Sequence, residues 1–461
     1  MRACRARAGR YDAVMTDRHL FRQEARALTR IAAPVVMAEF GWAGMGLIDS
    51  LVVGPLGPAA IAATGLGTGV FIAIVVFGMG LMLGLDTLVS QAFGAGRLDE
   101  CRTLLHQGLW LAVIVTPLVI GLDVFAVLSM DRWGLNPEIA RLTRPYLLIV
   151  GCSAPPLLIF TALRRYLLGV HIVRPVMTAL LTANAINLLA NWVFVYGKFG
   201  LPALGVSGSA LATTVARLYL AVVLGLVVYK TRPQGHDVHA AGTWRPDLTR
   251  LGRLARLGIP AALQLTLEVG AFSLATAFAA RLDAASSASH QLALNIESLA
   301  YMVPLGLCSA AAVRVGHAFG ARDARRTMTA GWAALAVGGC LMVALGLTMA
   351  LVPHALLSPF SHDPRVLELG SALLGFAAAF QLFDGVQTIT TGVLRGIGDT
   401  VKPMAVHLVA YWVLGLPIGY LLCFRYGWGV RGLWAGFTVG LVVAGCVLLG
   451  IWTRRSRRLA W

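Results

Sequence analysis

Runs of about twenty apolar residues recur along this chain from near position 32 to near position 453. A run of that length is what an α-helix needs to cross the ~30 Å hydrocarbon layer of a bilayer. Inside that layer every backbone amide must find its partner within the segment, so unbroken apolar runs mean helices and exclude a β-barrel, whose strands alternate. Twelve spans fit the 461 residues, near 32–53, 61–88, 105–129, 143–163, 174–196, 205–229, 257–280, 287–313, 327–352, 370–394, 403–424 and 432–453. Composition agrees: 13% of the residues are charged, about half the share of a globular surface. The fold class is an all-α polytopic membrane protein of 12 transmembrane helices.

A net charge of +17 raises the possibility of a nucleic-acid partner, which the distribution of the charge argues against. Of the 38 Lys and Arg, 29 fall on the termini and the loops after even-numbered spans, 8 fall on the opposite loops, and one, Arg217, lies inside span 6. This asymmetry places both termini in the cytoplasm, and the expected location is the bacterial inner membrane. Residues 1–30 read as a basic cytoplasmic arm with eight arginines, no cleavable signal, and Met15 as an alternative start. The seven cysteines form no CxxC pair, so neither a zinc site nor a disulfide framework is indicated.

The sequence repeats itself. Leu28-Thr-Arg30-Ile-Ala-Ala-Pro34 returns as Leu254-Ala-Arg256-Leu-Gly-Ile-Pro260, and Ala92-Phe-Gly-Ala95 as Ala318-Phe-Gly-Ala321, both 226 positions on. Gly205-Val-Ser-Gly208 returns as Gly429-Val-Arg-Gly432 at an offset of 224. A doubled set of six spans predicts two pseudo-symmetric lobes related by an axis along the membrane normal. Residues 31–229 form the first lobe and 257–453 the second; 230–256 is a cytoplasmic linker, and 454–461 a basic tail. Neither His236 nor His239 in the linker points to a metal. A repeated bundle is the architecture of a secondary transporter with a midplane site, and no phosphate-binding loop accompanies it to power a pump.

Ionisable groups at bilayer depth cost at least about 2.5–3.5 kcal/mol each and mark function by default. Here they are Glu39, Asp49, Glu268, Glu297 and Asp384, with Asp86 and Asp123 nearer span ends. Asp49 and Asn191 each lie 17 residues from the same edge of their spans, hence at one depth. Asn184, Asn187 and Asn191 follow one helix face. One carboxylate with amide oxygens suits a small hard cation or a titrating proton; interhelical packing glue is the competing reading of the amides. In the second lobe Glu268 and Asp384 share a level, with Gln264 one turn before Glu268 and Gln381, Gln387 and Thr388 beside Asp384. Gln291, Asn295 and Ser298 share a face of span 8. Glu39, Gln264, Gln291, Asn295, Glu297, Gln387, Tyr411 and Trp412 are candidates to line a substrate cavity. Arg217 needs a partner in the membrane, and Glu39, at a similar depth, is the expected one.

These residues resemble the multidrug and toxic compound extrusion (MATE) transporters, a family of the MOP superfamily, and their NorM-like branch in particular. The resemblance runs nearly end to end. It rests on Gly44-Met-Gly-Leu-Ile-Asp49-Ser, Asn187-Leu-Leu-Ala-Asn191-Trp-Val-Phe-Val-Tyr-Gly197, Leu267-Glu268-Val, His290-Gln-Leu-Ala-Leu-Asn295, Phe383-Asp384-Gly-Val-Gln387 and Tyr411-Trp-Val-Leu-Gly-Leu-Pro-Ile-Gly-Tyr420. It implies an antiporter, not an enzyme, that expels cationic amphipathic drugs in exchange for Na+ or H+ by alternating access, without a cofactor and as a monomer. It implies a first cation site at Asp49, Asn187 and Asn191, and a second at Glu268 and Asp384. Glu39 and Glu297 stand where the family is expected to be uncharged. A flippase for lipid-linked precursors is the alternative; it would need a basic interior, and Arg217 is the one deep basic residue in the span assignment. No DDxxD, GxSxG or HExxH motif supports a membrane enzyme.

Overall fold

The computed structural model describes residues 2–231 and 244–459, with side chains from Arg18 onward. Among them are sixteen α-helices and no strand. The first repeat holds α1 (Arg2–Val53), α2 (Pro58–Leu81), α3 (Leu83–Gly94), α4 (Leu98–Ser129), α5 (Pro137–Gly151), α6 (Ala154–Gly169), α7 (Arg174–Tyr196) and α8 (Val206–Lys230). The second holds α9 (Leu248–Ala279), α10 (Ala284–Gly320), α11 (Ala324–Leu351), α12 (Pro353–Leu357), α13 (Pro364–Gly396), α14 (Val401–His407), α15 (Leu416–Tyr420) and α16 (Val430–Ser456). Eleven helical segments are long and apolar enough to cross a membrane, and one bent pair raises the total to as many as 12. The linker histidines 236 and 239 lie outside the described residues.

The bent pair is span 4. Helices α5 and α6 meet at 46° across Cys152 and Ser153. The cause is Pro155-Pro156: neither residue offers an N–H, and each ring clashes with the carbonyl four residues back. The bend lets α6 run on to Gly169, six residues past the expected end at 163. Helix α1 likewise continues through the basic stretch before span 1, where buried Glu24 binds Arg314 (2.5 Å) and Arg326 (2.7 Å). Between α14 and α16 the helix widens into π-helical turns at Leu408–Gly415 and Leu421–Arg425, a form concentrated at functional positions. Short side chains cap the loops: Asn136 Oδ1 accepts from the Glu138 N–H, and Asp363 Oδ1 from that of Arg365, holding two orphan donors at helix starts.

The chain groups into two compact units, Met37–Val89 with Arg97–Gly270, and Met1–Val36 with Ser90–Gly96 and Ala271–Trp461. The repeat is visible inside each. In the first, a Cβ on Gly80 would stand 2.4 Å from the Cα of Ala262; in the second, a Cβ on Gly306 would stand 2.4 Å from Cγ2 and 2.9 Å from the Cα of Val36. Gly94 lies on the carbonyl of His317 and Gly320 on that of Gln91. Each of these positions is 226 residues from its counterpart, so the repeat preserves the points where backbone touches backbone.

Candidate functional site

Asp49 sits on the buried face of α1 with 6% of its surface exposed, and two other helices supply its donors. From α7, Asn191 Nδ2 donates to Oδ1 at 2.7 Å and Asn187 Nδ2 at 3.1 Å. From α8, the Thr213 hydroxyl donates to Oδ2 at 2.6 Å. Three donors on two oxygens fix the orientation of the carboxyl group. The Oδ1 atoms of Asn187 and Asn191 are buried with no hydrogen-bond partner among the described residues. One carboxylate and two uncommitted amide oxygens therefore share a desolvated pocket, which is the donor set a hard cation takes.

Asn184 departs from the stripe. It donates to the Gly41 carbonyl at 2.7 Å and tightens the α1–α7 contact; a Cβ on Gly44 would stand 2.9 Å from its Oδ1. It is packing glue, while its two neighbours serve the carboxylate. Thr213 escaped the sequence reading. The signal for it is its place one turn before Arg217, which puts the two polar groups on one face of the helix.

The expected Glu39–Arg217 pair is replaced. Glu39, 3% exposed, forms its ion pair with Arg164 of α6. A span 4 ending near 163 leaves Arg164 in a loop; the observed helix runs to Gly169 and buries it in the bundle. Arg164 thus joins Arg217 as a deep basic residue, and the partner of Glu39 is Arg164 in place of Arg217. Arg217 instead donates to Ser153 Oγ at the broken joint of span 4 and lies over the Phe71 ring at 4.6 Å, a cation–π contact that offsets part of its desolvation. Asp86 pairs with Arg165 at 3.3 Å.

In the other unit α13 buries Gln381, Asp384, Gln387 and Thr388. Gln387 Nε2 donates to Asp384 Oδ1 at 3.3 Å and to the hydroxyl oxygen of Tyr411 at 2.6 Å. Tyr411 lies in the first π-helical stretch and is fully buried, whereas the adjacent Trp412 is 37% exposed, so the two expected cavity residues face different ways. Trp434 Nε1 donates to His290 Nδ1 at 3.0 Å, and His290 Nε2 bonds Thr276 at 3.1 Å, which satisfies both ring nitrogens as a neutral imidazole. Gln291 and Asn295 are exposed and bond each other at 3.2 Å; Glu297 is buried. Glu268 and Gln264, both 8% exposed, lie on the part of α9 that belongs to the unit of Asp49. The linker end docks within that same unit: Gln107 of α4 donates to the Arg245 carbonyl and accepts from the Asp247 N–H, both at 2.9 Å.

A family model described as MatE matches the chain twice, over residues 34–193 and 260–421. The two matches begin 226 positions apart, the offset of the internal repeat. The chain is 36% identical to a probable multidrug resistance protein NorM of Mesorhizobium japonicum, over 95% of this chain and 96% of that one. It is 33% identical to the multidrug resistance protein MdtK of Yersinia pseudotuberculosis, over 92% and 94%. In fold it is similar to a eukaryotic MATE transporter (TM-score 0.84, 23% identity, 95% of this chain and 99% of that one). A MOP superfamily transporter from Pyrococcus furiosus, described by its reversed pocket polarity, shares the fold as closely (TM-score 0.85, 22% identity, 95% and 96%).

Proposed function

The chain belongs to the MatE family, and on that premise we propose that it is a secondary multidrug transporter that expels cationic amphipathic compounds in exchange for Na+ or a proton. The observation that carries the reading is Asp49: a buried carboxylate, three donors from two helices, and two amide oxygens left for a ligand. The names of the relatives, which describe multidrug resistance, support a drug as the exported compound, and the buried carboxylate supports its being cationic.

A cation entering this pocket would be held by Asp49 with Asn187 and Asn191, and Thr213 would fix the carboxylate so that its free lone pairs stay aimed. Loading neutralises a buried charge, and a state that buries Asp49 more deeply is thereby favoured. A drug that binds another state better is driven out by the same difference. Asp384, bridged to Tyr411 by Gln387, and Glu268 are the carboxylates assigned to the second repeat. The lipid-linked flippase needs basic groups available to a pyrophosphate. The interior arginines Arg164 and Arg217 are engaged by Glu39 and by Ser153 with Phe71, which favours the cation reading.

The test is efflux of a fluorescent cationic dye from vesicles driven by a sodium gradient and, separately, by a pH gradient. Asp49→Asn and Asp384→Asn should abolish the gradient-driven component while the protein still inserts and folds. Full efflux in either variant refutes the role assigned to that residue.

A further inference from the structure

Helix α7 has two faces. One buries Asn187 and Asn191 against Asp49; another exposes Leu181, Leu188, Leu189 and Trp192, and on a membrane-spanning helix such a strip is what lipid covers. The strip does not stop where the helix does. Gly197, left-handed with φ 66°, ends α7, and two residues on Phe199 stands 82% exposed. Its ring meets that of Trp192 edge-on at 5.9 Å between centroids, and Lys198 Nζ lies 5.8 Å from the Trp192 centroid. Apolar surface, two rings and one cation thus follow one another along the outside of the repeat.

Both repeats close this loop with the same pair of backbone hydrogen bonds. In the first, the Leu204 N–H donates to the Phe194 carbonyl and the Gly205 N–H to that of Val195; in the second, Trp428 donates to Leu422 and Gly429 to Cys423. Nine residues, 196–204, fill the first loop and five, 424–428, the second. The extra length makes room for the turn Gly197-Lys198-Phe199-Gly200, in which Phe199 has φ 57° and Gly200 φ 81°. Glycine takes that conformation freely and phenylalanine at a cost. A third glycine would suit the turn better, so the ring is held there for what it reaches. The shorter loop also exposes aromatic rings, Tyr426 and Trp428, so two backbones of different length present the same chemistry at the same end of each repeat.

We propose that the Gly197–Gly200 turn is a membrane-surface anchor, with Phe199 in the headgroup layer of the leaflet at this end of α7 and Lys198 on a lipid phosphate. Aromatic rings favour that layer because one part of it is apolar and the next is wet, and a lysine beside them can keep its stem in hydrocarbon and its ammonium among phosphates. The occupant is the bilayer because the lipid-facing strip of α7 runs onto the ring without a break. The anchor sets the height of the helix that carries Asn187 and Asn191, and it stands whichever ion those residues hold.

Photocrosslinking tests it. The full chain with p-benzoylphenylalanine in place of Phe199, irradiated in nanodiscs of phosphatidylethanolamine and phosphatidylglycerol, should gain the mass of one phospholipid, as should the same replacement at Leu188. Trp192→Leu, which takes away the protein neighbour of the ring, should leave the adduct at 199 in place. No lipid adduct at 199 where Leu188 gives one, loss of the adduct in Trp192→Leu, or a crosslink in intact cells to a second copy or another protein overturns the proposal. Phe199→Gly relieves the left-handed backbone as it removes the ring. Its unfolding midpoint in the same nanodiscs should fall below that of the wild type, and an equal or higher midpoint refutes the anchor.

Discussion

The two repeats are alike where backbone meets backbone and unlike where charge is buried. Gly80 and Gly306 occupy equivalent positions and press on the equivalent residues Ala262 and Val36. At the same offset of 226, Asp49 corresponds to Ala275, Glu39 to Leu265, and Glu268 to Trp42; at 224, Arg217 corresponds to Leu441. Close approach between helices is a property of the scaffold and cannot change in one copy without losing the packing. A buried carboxylate is costly, and one copy that supplies it frees the other to fill the space with hydrocarbon. The two copies therefore share architecture and divide the chemistry.

The sharpest way to break this contrast is at Glu39. Glu39→Gln strands the buried guanidinium of Arg164 and should lower stability by about 3–5 kcal/mol, whereas Glu39→Leu with Arg164→Leu, which imports the hydrocarbon of the second copy at position 265, should recover most of it. Thermal unfolding of the purified protein measures both, and equal losses in single and double variants would refute the pairing. Next is Thr213→Ala, which removes a hydrogen bond to a buried carboxylate and should cost about 1.5–3 kcal/mol, read as weaker sodium dependence of efflux as well as a lower midpoint. Gly80→Ala and Gly306→Ala should each cost roughly 1–3 kcal/mol by overpacking and, because the contacts are equivalent, by similar amounts. A large difference between them would show that the scaffold has diverged as well. The smallest effect is expected for Tyr411→Phe, which takes the hydroxyl from Gln387 and should cost about 0.5–1.5 kcal/mol, detectable as a shift in the efflux of dye rather than in folding.

The spans and the duplication were legible in the sequence because both are written in periodicities of many residues, and noise in single positions averages out. Asp49, Asn187 and Asn191 were legible because helix rise converts sequence distance to depth. Glu39 was paired with the wrong arginine for a physical reason. Depth is a single coordinate, and it says nothing of which helix lies beside which. Arg217 and Arg164 differ in azimuth, and the bend at Pro155-Pro156 that brings Arg164 inward comes from two residues with no N–H to give. Asn184 shows the same limit: it shares a face with Asn187 and Asn191, yet the approach of Gly41 claims its amide.

The joint of span 4 has a mechanical consequence. Ser153 lies where the two half-helices meet, and its hydroxyl both donates to the Val150 carbonyl and receives Arg217. A helix interior resists bending through its ladder of hydrogen bonds; this joint has lost rungs to two prolines. The arginine is thus fastened to the pivot of a lever. A change in the 46° angle must either carry the guanidinium with it or tear it from Ser153. In both cases the guanidinium shifts against the Phe71 ring it lies over, so that motion at the pivot is transmitted to the interior of the bundle.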